Sequence, residues 1–63
     1  MEVLASLTKR GKYGQRFVWD FCRDDVGYFA TDGGEKHIRC RDAAEARGFY
    51  KRMRGYGFVP VAS

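Results

Sequence analysis

The sequence predicts an α+β fold: a small antiparallel β-sheet, made of a four-strand meander plus a short C-terminal strand in the order 5-1-2-3-4, with one α-helix packed on one face. Three observations carry this. Apolar residues recur at period two on both sides of Gly11-Lys12-Tyr13-Gly14. Asp32-Gly33-Gly34 supplies the positive-φ residues of a tight turn. Asp42 and Glu45 form a capping box ahead of Ala43, Ala46, Phe49, Tyr50 and Met53, which recur at helical spacing. At 63 residues the chain is one compact domain, 1–63, because a chain this short removes only about 60% of its unfolded surface from water.

Glu2 to Lys9 alternates small and apolar residues and reads as the first strand, and Gln15 to Arg23, with three aromatics at period two, as the second. If the glycines frame a short turn, Leu7 faces Val18 and Leu4 faces Phe21. Phe17, Trp19 and Phe21 then share one face, and Val3, Ala5, Leu7, Val18 and Cys22 the other. The three aromatics gain most from being covered, so they are read as core rather than as an exposed stacking platform. A turn at Asp24-Asp25 leads to a third strand over Val26–Ala30, and Glu35–Cys40 returns as the fourth. The helix runs from Ala43 to Arg54, with Gly55 as its left-handed C-terminal cap. Phe58–Ala62 is the last short strand, at an edge because Pro60 donates no ladder hydrogen bond. Placing that strand beside the first crosses no connection and lets the helix seal one face.

Hydrophobic residues are 44% of the chain and charged residues 32%, enough apolar matter for a packed core. No apolar run reaches the roughly 18 residues of a membrane span, and the opening MEVLASLTKR lacks the parts of a signal peptide, which predicts a cytoplasmic protein without a membrane partner. Cys22 and Cys40 are read as reduced thiols, since small domains that depend on disulfides carry several. A zinc site would need Cys22, His37, Cys40 and a carboxylate, but residues three apart in a strand point to opposite faces. No metal or cofactor is called for.

Twelve Lys and Arg against eight Asp and Glu give a net charge of +4, and the charges are not evenly spread. Residues 9–16 hold Lys9, Arg10, Lys12 and Arg16 and no acid, whereas 20–35 hold Asp20, Asp24, Asp25, Asp32 and Glu35 against Arg23 alone. In the meander, the first hairpin tip and the helix C-terminus lie at the same end of the sheet. Lys9, Arg10, Lys12 and Arg16 therefore approach Lys51, Arg52 and Arg54 to make a basic end suited to phosphates, with Tyr13 at the tip free to stack on a base. The same cations also serve the fold, since basic groups near a helix C-terminus complement its partial negative charge.

Arg54-Gly55-Tyr56-Gly57-Phe58-Val59-Pro60-Val61 resembles the octapeptide of RNA-recognition motifs in seven of its positions, lacking only the final aromatic. The resemblance implies that Tyr56 and Phe58 share a strand face on which unpaired bases stack. It covers eight of 63 residues and follows a helix directly, where that family places the segment on a central strand. A glycine cap followed by a short aromatic strand accounts for the same letters. Strands followed by a helix over residues 42–53 are also similar in arrangement to the DNA-binding domains of phage integrase arms.

His37 is the single histidine, and no Ser, Cys or carboxylate pair stands in a recognisable catalytic spacing; His37 with Arg39 and Tyr28 is the one set that a small ribonuclease could use. The sequence thus predicts a small non-enzymatic cytoplasmic protein that engages nucleic acid or a nucleoprotein complex through its basic end. The alternative is a phage-type, anti-CRISPR-like inhibitor acting by protein contact on a host complex, for which exposed aromatics such as Tyr13, Tyr28 or Phe29 matter more than the cations.

Overall fold

In the computed structural model, which describes residues 1–61, residues 11–15 join the first two strands, β1 (Glu2–Arg10) and β2 (Arg16–Arg23), as a three-residue loop, Lys12 to Gly14, closed by Gly11 and Gln15. Gly11 N–H donates to the Gln15 carbonyl at 2.6 Å and Gly14 N–H to the Gly11 carbonyl at 3.1 Å, with Gly14 at φ 83°. A left-handed glycine closing a loop of this length matches the twist of the strands it joins. The loop is one residue longer than a two-residue turn, and this shifts the register: Leu7 faces Trp19 and Ala5 faces Phe21. A shift of one residue moves a side chain to the other face of a strand. Ala5 and Leu7 therefore join the aromatic face, which corrects the expected pairing of Leu7 with Val18. At Leu4 a bulge steps the register back, and Val3 faces Cys22.

The second turn is built by Asp24, whose Oδ1 accepts from Val26 N–H at 3.0 Å and Gly27 N–H at 2.9 Å. Those amides are taken by the turn, so β3 begins at Tyr28 (Tyr28–Thr31) rather than at Val26. Asp32 does the same in the next loop, accepting from Gly34 and Lys36, and β4 is shortened to His37–Cys40. Asp42 then caps α1 (Ala43–Gly55), accepting from Glu45 N–H at 2.8 Å, while the Glu45 carboxylate accepts from Arg41 N–H at 3.1 Å. At the far end Gly57 N–H donates to Arg54 and Phe58 N–H to Met53, the paired bonds of a Schellman cap. The left-handed residue is Gly57, at φ 100°, and Gly55 is the last helical residue, which corrects the expected cap by two positions.

The final strand, β5 (Val59–Pro60), pairs with β1 at Thr8 and Leu7, and Val61 N–H donates to the Ser6 carbonyl. Phe58 precedes it, and Ala62 lies outside the described residues. All pairings are antiparallel in the order β4-β3-β2-β1-β5, the order the sequence predicts, with α1 on one face. Leu7, Phe21, Ala30, Met53 and Phe58 form the core beneath the helix, and Ala5, Trp19, Phe49 and Tyr50 pack against it. Phe21 meets Phe49 and Tyr50 edge-on at 5.6 and 5.4 Å between centroids, a favoured geometry for aromatic pairs. Phe17 lies beyond the reach of the helix and is 46% exposed, so it leaves the core to Trp19 and Phe21.

The uncovered face has its own small cluster. Cys22 and Phe29 stand opposite each other there and are both buried. Phe29 is covered by its neighbours: the His37 ring stacks on it at 4.4 Å, and the Arg39 guanidinium lies 5.0 Å from its centroid. Arg39 is itself held by both carboxylate oxygens of Asp24, at 3.0 and 3.1 Å.

Candidate nucleic-acid interface

β1 and β2 outrun their neighbours. β3 stops at Thr31, opposite Asp20, and β5 reaches only Leu7 and Thr8, so the hairpin from Lys9 to Arg16 projects as a two-stranded arm. At its tip Tyr13 is 88% exposed, its N–H donating to the Gln15 side chain at 2.9 Å, and Lys12 is exposed beside it.

On the uncovered face of the arm Arg10 stands directly opposite Arg16. Arg16 Nε–H donates to Thr8 Oγ1 at 3.0 Å, and the Thr8 hydroxyl donates to the Phe17 carbonyl at 3.0 Å. A hollow of about 310 Å³ opens here, lined by Thr8, Lys9, Arg10, Arg16, Gly57 and Val59. A second, of about 260 Å³, lies where β2 leaves β3 behind, between Arg16 and the loop residues Asp32 and Lys36.

Lys9 points the other way, toward the helix. Its Nζ donates to the Tyr56 carbonyl at 2.6 Å and sits 5.8 Å from the Phe58 ring centroid, so it caps the helix C-terminus and fastens the arm to it. Lys51, Arg52 and Arg54 are exposed along the last turns of α1, on the opposite side of the sheet from Arg10 and Arg16. The cations named from the sequence thus gather at one end of the molecule but on two sides of it, with Lys9 between them.

The ion pairs lie elsewhere. Among the described residues they are Arg23–Glu2, Arg39–Asp24, Arg41–Asp42 and Arg41–Glu45, all at the end of the sheet that holds the chain start, the Asp24 turn and the helix N-terminus. Arg39 draws the Asp24 carboxyl down to about 2 from an ordinary value of 3.8, helped by the Gly27 and Val26 amides. At the other end no described carboxylate comes within 4 Å of Lys9, Arg10, Lys12, Arg16, Lys36, Lys51, Arg52 or Arg54. The described ion pairs thus lie at one end, while at the other eight cations outnumber the two acids of the β3–β4 loop, Asp32 and Glu35, which form no described ion pair.

Other candidates from the sequence disperse. His37 and Arg39 share the uncovered face and are both engaged by Phe29, while Tyr28 faces the helix side. Cys22 and Cys40 lie on opposite faces, buried and free. Burial pushes both thiols up, with Asp20 and Asp24 adding to the effect at Cys22 and Glu45 at Cys40. In the octapeptide that resembles the RNA-recognition motif, Tyr56 is the exposed C-cap and Phe58 is buried in the core, so the two do not form a stacking platform. Of the aromatics named for a protein-contact inhibitor, Tyr13 is exposed, Tyr28 is half-buried and Phe29 is buried. Thr8 and Lys36 went unnamed in the sequence reading; the three-residue loop places Thr8 diagonally beside Arg16, and counting that loop correctly is the signal that finds it.

No helix among the described residues is long and apolar enough to cross a membrane. Compared with protein families, curated proteins and solved structures, the chain finds no match.

Proposed function

We propose that the chain is a cytoplasmic, non-enzymatic protein that engages nucleic acid, free or within a nucleoprotein complex, through the projecting arm and the helix end beside it. The observation that carries this is the uneven spread of charge: the described ion pairs sit at one end, and at the other a run of cations that includes two arginines in direct opposition outnumbers Asp32 and Glu35. A polyphosphate backbone supplies the missing anions, and a two-stranded arm has the width of a duplex major groove. Lys12 and Tyr13 lead the arm, Arg10 and Arg16 follow on one side, and Lys51, Arg52 and Arg54 contribute charge from the helix.

Fluorescence anisotropy with labelled duplex DNA, single-stranded DNA and RNA, over a range of salt, tests the reading. Affinity should fall steeply with salt, by a log–log slope of about 0.7 to 0.9 per phosphate neutralised. Charge reversal at Arg10 and Arg16, or at Arg52 and Arg54, should weaken binding and flatten the slope, while Asp24→Asn with Asp25→Asn should not. If none of these nucleic acids binds at low salt, and a host complex is captured as well after nuclease digestion as before, the phosphate reading fails and contact inhibition through Tyr13 replaces it.

A further inference from the structure

We infer that Arg16 is a preset phosphate fork, a guanidinium held in one orientation by Thr8 so that its two terminal nitrogens take one phosphate of the bound strand side by side, with Arg10 supplying a second guanidinium from the opposite strand. This rests on the nucleic-acid reading and adds to it the residue that touches the phosphate and the residue that positions it.

The geometry begins at the Thr8 hydroxyl. Its hydrogen goes to the Phe17 carbonyl, which leaves its lone pairs to accept from Arg16 Nε–H, both at 3.0 Å. With Nε so tied, the remaining donors of Arg16 are those on its two terminal nitrogens, the edge that matches two oxygens of a phosphate. Among the described residues no hydrogen bond or ion pair occupies that edge. Fixing the guanidinium before binding removes part of the entropy lost when a long side chain is ordered on a ligand.

The hollow beside it is suited to the same group. At about 310 Å³ it lies at the lower limit of ligand-sized cavities, room for one phosphate and its ester substituents. Gly57 forms part of its wall, and a Cβ there would stand 3.6 Å from Lys9 Cε, narrowing the space beside the arm. No described side-chain hydrogen bond holds Lys12, Lys51, Arg52 or Arg54, so these add charge without fixed direction, and lysine can replace arginine among them.

The test compares charge-preserving variants. Arg16→Lys keeps the charge and removes the fork; Thr8→Val keeps the strand and removes the tether; Arg41→Lys, at the ion-paired end away from the arm, is the control, and each is first checked for an unchanged melting temperature. On labelled single-stranded DNA at one salt concentration, Arg16→Lys should weaken binding about tenfold and Thr8→Val about threefold, with Arg41→Lys unchanged. Thr8→Ser, which retains the hydroxyl, should bind as the parent does. With inorganic phosphate as the probe, the Arg16 Nε–H signal in a nitrogen-15 spectrum should shift on titration. If Arg16→Lys binds as tightly as the parent while the parent keeps a steep salt slope, the fork is wrong and the nucleic-acid reading stands. If the parent binds no nucleic acid at low salt, both are overturned.

Discussion

Arg10 and Arg16 face each other across the first hairpin, and no described carboxylate lies within ion-pairing distance of either. Gly11 N–H bonds to the Gln15 carbonyl one step farther out, so the alternation of an antiparallel ladder makes this a non-hydrogen-bonded pair, in which side chains approach most closely. Like charges so placed cost about 0.2 to 1 kcal/mol. No described ion pair offsets that cost, and an anion that bridges the two strands would remove it.

Replacing one of the pair therefore has opposite effects on stability and binding. Arg10→Thr, which suits a strand and removes one like charge, should raise the free energy of unfolding by about 0.5 kcal/mol in a urea titration. The same variant should bind nucleic acid more weakly and with a shallower salt slope. A loss of stability would show that the arginines support the arm by packing rather than strain it by charge.

The helix cap gives a pair of contrasting glycine substitutions. Gly57→Ala puts a side chain at φ 100° and should destabilise by about 1 to 2 kcal/mol. Gly55→Ala is helical and meets nothing within 4 Å, and should stabilise by about 0.5 to 1 kcal/mol. Thermal melts of the two variants check the assignment of the cap, and the order reverses if Gly55 is the left-handed residue.

Acid should weaken the fold through Asp24. Its folded pKa of about 2 lies below the ordinary 3.8, so in that interval the unfolded chain binds more protons than the folded one. The stabilisation is complete above about pH 4 and is lost as pH falls through about 2. Urea midpoints measured down this range should drop less steeply for Asp24→Asn, in which the titrating group is absent.

The thiols should be inert in the folded protein. Both are buried and both are held above the ordinary value of 9.0, so little thiolate forms near neutral pH. Iodoacetamide should leave the native chain unmodified and add two groups in concentrated urea, as read by mass spectrometry. A single adduct in native buffer would identify a thiol that the sheet does not protect.

Strand order and helix placement were legible in the sequence because they depend on coarse signals: alternation, the Asp42 and Glu45 cap, and the rule that connections do not cross. The register was not, because it depends on one residue of loop length, and a two-residue reading of the turn moves Ala5 and Leu7 to the wrong face. The cap was displaced for a similar reason, since Gly55 and Gly57 are equivalent in composition and differ only in which one follows the last helical turn. At the candidate site, charge clustering along the chain located the basic end. The division of labour within it depends on contacts that no pattern of residues displays: Lys9 turned to the Tyr56 carbonyl, Arg16 tied to Thr8. Burial of Phe29 was hidden too, because its cover comes from the polar side chains of His37 and Arg39 on the neighbouring strand rather than from the helix.

The confinement of the described ion pairs to one end also shapes the electric field that the protein presents to its surroundings. Nine residues of β1 separate the two ends by about 30 Å, several times the Debye length of about 8 Å in physiological salt. On the proposed reading, a polyanion would meet the field of the arm first and turn the molecule arm-first during the encounter. Capture should be fast in dilute buffer and slow as salt is added, with the rate of escape much less affected.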